Sequence, residues 1–274
     1  MAKLPPTEQS GKHESLHSMS VGNLVNAMNS IDNEAVEAVS KCKWQVEEFI
    51  NALVPRMRKG GRLFYVGAGT SGRLGVVDAS ECPPTFGVEY GTVVGLIAGG
   101  DSAIRKAMEG AEDSTTQGWE DLKRNNICKN DCVVGIAASG RTPYVIGALK
   151  EARARCILTG AITCNPETEA ARNSDHPMEA ITGPEFITGS TRLKAGTATK
   201  LILNMITTIA FIQLGHVKGN RMIDMQLSNV KLVERGTRMV AESTGVSTEV
   251  AKEMLLKHGS VRNAVESINN KCIP

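Results

Sequence analysis

Residues 65–75 read Tyr-Val-Gly-Ala-Gly-Thr-Ser-Gly-Arg-Leu-Gly, YVGAGTSGRLG. Gly67, Gly69 and Gly72 fall at G-x-G-x-x-G spacing, that of a dinucleotide-binding turn. A buried-type apolar run (62–67) precedes the glycines and a helical pattern follows them. Glycine lets backbone approach a ligand closely, and free N–H groups at a helix start attract an anion. Thr70 and Ser71 add hydroxyls that can donate to that anion or cap the helix. Either a dinucleotide or another phosphate satisfies this loop taken alone.

The rest of the chain separates the two. A dinucleotide fold wants an acidic residue closing its second strand, to hold a ribose. Here that strand ends at Ala98-Gly99-Gly100, Asp101 comes late, and Glu89 precedes the strand. A second loop of matching chemistry follows the third strand: Ser139, Gly140, Arg141 and Thr142, then Pro143 in the first turn of a helix, where proline is tolerated. Two hydroxyl loops at the carboxyl ends of parallel strands can converge on one small phosphate. A sugar phosphate fits that arrangement better than a pyrophosphate.

Apolar runs at 62–67, 92–98, 132–139 and 157–163 read as strands, continuous in the manner of strands buried on both faces. A weaker strand is expected near 178–182. Helices are expected at 71–80, 102–124 and 143–155, with a long one from 190 to 214. This alternation predicts a parallel sheet covered by helices on both faces, a three-layer α/β/α sandwich. Upstream, Val36, Val39, Val46, Ile50 and Leu53 recur at helical steps with one longer gap, and Pro55 and Gly60-Gly61 mark the end. Beyond His216 three short helices (229–242, 247–258, 260–270) are expected with no strand. The domain boundaries expected are 1–225 and 226–274, the second a small helical module.

The bulk properties exclude several classes. The chain has 274 residues, 41% hydrophobic and 22% charged, with a net charge of +2. That balance favours neither nucleic acid nor a membrane surface, and 4% aromatic residues give little for base stacking. The start, MAKLPPTEQSGKHES, lacks the apolar segment of an export signal. No segment reads as a membrane span; residues 201–214, broken by Asn204 and two threonines, read as a buried helix. The seven scattered cysteines then read as reduced thiols of a cytoplasmic protein. Cys128 and Cys132 lack a second pair at zinc spacing, so no metal is expected.

Residues 66–88, VGAGTSGRLGVVDASECPPTFGV, resemble the N-acetylmuramic acid 6-phosphate etherases of the sugar isomerase (SIS) superfamily. The resemblance continues through 95–100, 109–114, 133–149 and 183–205, and reaches Thr7-Glu8-Gln9 and the helical tail. It implies an SIS-type sheet domain, a homodimer, and no metal or organic cofactor. The activity implied is that of a carbon–oxygen lyase. It removes D-lactate from N-acetylmuramic acid 6-phosphate by β-elimination and then hydration, in cell-wall sugar recycling. A superfamily alternative is a non-catalytic sugar-phosphate sensor, which needs the phosphate loops and no acid/base pair.

The resemblance maps two catalytic glutamates onto Glu81 and Glu112, with Glu81 as general acid and Glu112 as base at C2. Sugar-phosphate contacts are expected from Gly69, Thr70, Ser71, Gly72 and Arg73, from Ser139, Gly140, Arg141 and Thr142, and from Ser190 and Lys194. Arg73 and Arg141 can meet the phosphate or the lactyl carboxylate, or stand as plain surface charges. The segment 188–191 opens the long helix and offers a further anion site. Glu185 is a third carboxylate in a matching segment. A straight helix from Ser71 to Ser80, with Glu81 at its far end, spans about 15 Å at about 1.5 Å per residue, longer than a hexose. Either Glu81 serves the substrate of a neighbouring subunit or the helix is kinked or short.

Overall fold

The computed structural model describes residues 4–271. Its elements in chain order are α1 (Val21–Met57), β1 (Leu63–Gly67), α2 (Gly69–Phe86), β2 (Val93–Ile97), α3 (Ser102–Arg105), α4 (Gln117–Arg124), β3 (Cys132–Ile136), α5 (Pro143–Ala154), β4 (Leu158–Thr163), α6 (Glu169–Arg172), β5 (His176–Glu179), α7 (Lys194–Gln213), β6 (Val217–Lys218), β7 (Arg221–Met222), α8 (Val230–Thr244), α9 (Thr248–His258) and α10 (Val261–Lys271). They form two compact units. One holds the chain up to Ser80 together with Val93–Ala210. The other holds Glu81–Thr92 and the chain from Phe211 onward.

The first unit is built on a five-stranded parallel sheet in the order β2-β1-β3-β4-β5. β1, β3 and β4 are buried along their whole length, whereas β2 and β5 lie at the edges and are only partly covered. This accounts for the continuous apolar runs: a central strand with helices on both faces has no polar side. From β1 the chain moves outward to β2, then returns past β1 to build β3, β4 and β5. The reversal lies between β1 and β3, the place where open α/β sheets leave a crevice at their carboxyl ends. Gly67 pairs with Ile136 across that junction, so the two loops that follow start level with each other.

Several elements differ from the expectation. The stripe of α1 buries Ala35, Ala38, Val39, Cys42, Val46 and Phe49, while Val36 is exposed. Cys42 fills the apparent gap between Val39 and Val46. The region 102–124 is not one helix but α3, a single turn at Ala111–Asp113, and α4. Gly110, with φ +72°, breaks it. β5 comes earlier than expected, at His176–Glu179. α7 has 20 residues and a mean hydropathy of 1.4, enough in length and composition to cross a bilayer. Its buried Ala195, Ala198, Ile202, Leu203 and Ile206 make it a core helix instead.

In the second unit α8, α9 and α10 share a core of Met225, Met239, Val240, Ala251, Leu255 and Ala264. Asn229 and Ser247 cap α8 and α9 at their starts, and left-handed Gly245 and Gly259 close their ends. A two-residue antiparallel pair, β6 with β7, precedes these helices and has no counterpart in the sequence expectation. Four strand residues around a Gly219 turn (φ +62°) are too few for a visible period.

Candidate functional site at the carboxyl end of the sheet

The loop after β1 is shaped by contact between glycines. A Cβ on Gly67 would lie 2.7 Å from the backbone N of Gly72, and one on Gly72 would lie 2.8 Å from the carbonyl oxygen of Gly67. No side chain fits there, so strand end and helix start press directly together. α2 begins at Gly69, which puts Thr70 and Ser71 in its first turn rather than at its cap. Both are partly buried.

The loop after β3 is tied to the loop after β4. Gly140 adopts φ +67°, and a Cβ there would collide with Thr168 at 2.2 Å. Its carbonyl accepts from the Ala170 N–H at 3.0 Å. Ser139 Oγ accepts from the Arg141 N–H at 3.2 Å. Thr142 precedes α5 without spending its hydroxyl on a capping bond. Ala138, Cys164 and Ala195 form a small apolar floor beneath these loops.

The start of α7 joins both. A Cβ on Gly196 would lie 3.7 Å from Thr70 Cγ2, and Cys164 Sγ lies 3.7 Å from the Ala195 carbonyl oxygen. Lys200 Nζ lies 3.3 Å from Asp78 Oδ1, and the Tyr65 hydroxyl donates to Asp78 Oδ2 at 3.1 Å. Burial pushes the Asp78 carboxyl up, against the pull of Lys200 and Tyr65. The three segments expected to carry phosphate ligands are therefore held together by α2, α5 and α7.

Individual side chains are placed less uniformly. Arg73 turns from the loop: Nε donates to the Ile104 carbonyl (2.7 Å) and Nη2 to that of Ala103 (2.8 Å). Arg141 is exposed. Lys194 is fully buried; Nζ pairs with Glu34 and donates to the Thr182 carbonyl at 2.9 Å. Ser190 lies in a turn, its N–H bonded to the Ile187 carbonyl, because α7 starts only at Lys194. The first two N–H groups of α7, those of Lys194 and Ala195, donate to the Glu185 carboxylate at 2.9 Å each. Glu185 is wholly buried, and burial holds its carboxyl above the usual range despite those donors. It therefore caps the helix start that the sequence offered as an anion site.

Both candidate glutamates are exposed. Glu81 lies within α2, which stays helical from Gly69 to Phe86 with Pro83 and Pro84 inside it, so the helix does not end before Glu81. Glu112 sits in the single turn Ala111–Asp113. Sequence reasoning missed Asn165 and Thr168. The signal available was Asn-Pro directly after a strand, a turn signature without chemistry of its own. Among the described residues no three His, Cys, Asp or Glu side chains gather as a metal site.

A family model described as the SIS domain matches residues 118–209, and one described as the glucokinase regulatory protein N-terminal SIS domain matches 45–153. A third, the C-terminal lid domain of glucokinase regulatory protein, matches 219–271. The solved structure of a phosphoheptose isomerase from Francisella tularensis shares the fold. Its TM-score is 0.54 at 17% identity, over 71% of this chain and 100% of that one. One from Neisseria gonorrhoeae gives 0.52 at 16%, over 70% and 98%. Fold and paired loops thus define an SIS-domain protein with a C-terminal helical module. The N-acetylmuramic acid 6-phosphate etherase of Christiangramia forsetii is 54% identical over 269 residues, 98% of each chain. That of Porphyromonas gingivalis is 54% identical over 265 residues, 97% of each. The chain belongs to the N-acetylmuramic acid 6-phosphate etherase family.

Proposed function

We propose that this chain is a lyase that cleaves the D-lactyl ether of N-acetylmuramic acid 6-phosphate, giving N-acetylglucosamine 6-phosphate and D-lactate in cell-wall amino-sugar recycling. The observation that carries this reading is 54% identity, end to end, with etherases. The sensor alternative rests on two family-model descriptions covering parts of the chain, and nothing in them requires a catalytic pair to be absent.

The chemistry calls for one base and one acid. In the open-chain sugar the C1 aldehyde acidifies the proton on C2, and the ether oxygen on C3 is β to it. A base takes the C2 proton, a C2=C3 double bond forms, and the C3–O bond breaks as an acid protonates the lactyl oxygen. Water then adds, with hydroxyl to C3 and a proton to C2. Glu112 is our base and Glu81 our acid. Thr70, Ser71, Ser139 and Thr142 hold the phosphate with the backbone N–H groups of Gly69, Thr70 and Ser71 at the start of α2, while Gly72 and Gly140, whose N–H groups go to the Ala68 and Ala137 carbonyls, let the backbone come close. Arg141 faces the lactyl carboxylate or the phosphate. Arg73, Ser190 and Lys194 act through the loops they brace, a reading that follows from their partners.

The enzyme works as a homodimer in the cytoplasm, and Glu81 serves the sugar held by the other subunit. Mixing inactive Glu81 and Ser71 variants then restores part of the activity; no recovery after verified subunit exchange rules out the crossed arrangement. The reaction itself is tested by incubating the substrate in deuterated water. D-Lactate together with one deuterium at C2 of the product is expected. Binding of the sugar phosphate without lactate release would favour the sensor.

A further inference from the structure

Thr7 is fully buried, although its segment contributes only a single helical turn, Pro6–Glu8. Its N–H donates to Asn165 Oδ1 at 3.1 Å, and Asn165 Nδ2 donates back to Thr7 Oγ1 at 2.9 Å. The same Nδ2 donates to the Ala138 carbonyl at 3.1 Å. Asn165 is 2% exposed, so these bonds are made out of water, where an unmade one is costly. Ala138 immediately precedes Ser139. One buried amide therefore grips the N-terminal segment and the root of the hydroxyl loop together.

That segment also borders a cleft of about 790 Å³. Leu4, Pro5, Pro6 and Gln9 line one part of it, and Ser139 and Arg141 another. The volume lies within the range of small-ligand sites. Two prolines fix φ and stiffen that part of the wall. Gln9 Nε2 closes on the Leu4 carbonyl at 2.9 Å, which folds the segment onto itself.

We infer that residues 4–9 form a wall of the sugar-phosphate cleft and that Thr7 with Asn165 is the positioning device that sets this wall against the 139–142 loop. The inference rests on the proposed etherase site. The polar atoms of the two side chains are spent on each other and on the Ala138 carbonyl, so the pair acts on substrate binding and not on proton transfer.

The test uses the full chain with Thr7→Val, which keeps the shape and removes the hydroxyl, and Thr7→Ser, which keeps the hydroxyl. Three quantities are read: KM and kcat for D-lactate release, Kd for N-acetylglucosamine 6-phosphate by calorimetry, and the thermal midpoint. Loss of a buried bond worth about 1.4 kcal/mol corresponds to about tenfold in affinity. Thr7→Val is expected to raise KM and Kd about tenfold with kcat within about twofold, and Thr7→Ser to stay near the parent. A lowered thermal midpoint with unchanged KM and Kd would overturn the inference, leaving Thr7 a plain structural pin. If the parent releases no lactate, the etherase reading fails by itself. The Kd comparison still decides the wall: weaker binding by Thr7→Val supports it and equal binding overturns it. Should Thr7→Val not fold, the double variant Pro5→Gly, Pro6→Gly replaces it. It spares the buried pair and slackens the wall; a Kd raised severalfold supports the inference and an unchanged Kd overturns it.

Discussion

The two ends of the parallel sheet use polar groups in opposite ways. At the amino end Asp131, 1% exposed, receives Arg62 through Nη2 at 2.9 Å and Nε at 3.3 Å, and the N–H groups of Arg62 and Cys128 at 2.8 Å each. The Arg62 carbonyl in turn accepts from the Cys132 N–H. Each group answers another, and the start of β1 is locked to the start of β3. At the carboxyl end the same strands run into glycine, serine and threonine, and Thr142 has no capping bond. Polar capacity is consumed at the amino end, whereas at the carboxyl end a hydroxyl such as that of Thr142 is left without a capping partner. That asymmetry separates what holds the sheet from what can hold a ligand.

The strongest way to break the comparison is to remove a proposed catalytic carboxylate. Glu112→Gln and Glu81→Gln should each lower kcat by about 10²- to 10⁴-fold, the range of general acid–base contributions. The thermal midpoint should scarcely change, since both side chains are exposed. Lactate release at near-parental rate from either variant would remove that residue from the mechanism. Glu112→Gln should also abolish deuterium exchange at C2 of N-acetylglucosamine 6-phosphate, whereas Glu81→Gln should retain it.

The opposite end should respond in the opposite sense. Asp131→Asn leaves Arg62 without its charge partner, and breaking a buried pair costs on the order of 3 kcal/mol. Urea unfolding should show that loss while KM stays within about twofold. The parent should also show an acid dependence here. Burial alone would raise the Asp131 carboxyl, but Arg62 and two backbone N–H groups overrule it and hold it low. A carboxyl lowered on folding contributes fully above the usual carboxylate range, and the contribution disappears as pH falls through the lowered value. Asp131→Asn should flatten that part of the stability–pH curve. An unchanged curve would show that the amino-end lock is not the acid-sensitive element.

The two ends were not equally legible in the sequence. The carboxyl-end loops carry chemistry in consecutive residues, 69–73 and 139–142, and their placement follows from the strand pattern alone. The sheet was readable for the same reason. Asp131 and Arg62 are 69 positions apart, and nothing local to either announces the pair. Asn165 is 158 positions from Thr7. Glu185 caps a helix from nine residues upstream, outside the local spacing of a capping box. Lys194 and Arg73 had the right charge in the right segments, but only packing decides where a long side chain points.

Arg73 gives a smaller test of the boundary between holding and binding. Its guanidinium satisfies the Ala103 and Ile104 carbonyls of the short helix α3, which would otherwise lack partners at that helix end. The chain then runs from α3 towards Glu112. Arg73→Gln should lower kcat about tenfold while Kd for inorganic phosphate stays within about twofold. Arg73→Lys should recover part of kcat by meeting one carbonyl. A loss of phosphate affinity without a change in kcat would return Arg73 to the anion.

The smallest expected effect is a matter of order among thiols, and it sharpens the comparison at the floor of the carboxyl end. Cys164 lies there with Ala138 and Ala195, and burial pushes its thiol up to about 12. Burial pushes Cys132, at the start of β3, up to about 12 as well. Cys128, four residues before β3 begins, and Cys156 are exposed. The thiolate is the reactive form, so at pH 8 a thiol near 12 offers about one part in ten thousand. Iodoacetamide should therefore label Cys128 and Cys156 before Cys132 and Cys164, as followed by peptide mass spectrometry. Cys164 should stay unlabelled whether or not N-acetylglucosamine 6-phosphate is present. If it were labelled early and protected by the sugar phosphate, the floor would open to solvent in the free protein. The carboxyl end would then be a mobile surface that the ligand closes. If it stays silent in both conditions, the available groups stand on a floor as fixed as the amino-end lock. The contrast between the ends is then one of hydrogen-bonding capacity and not of rigidity.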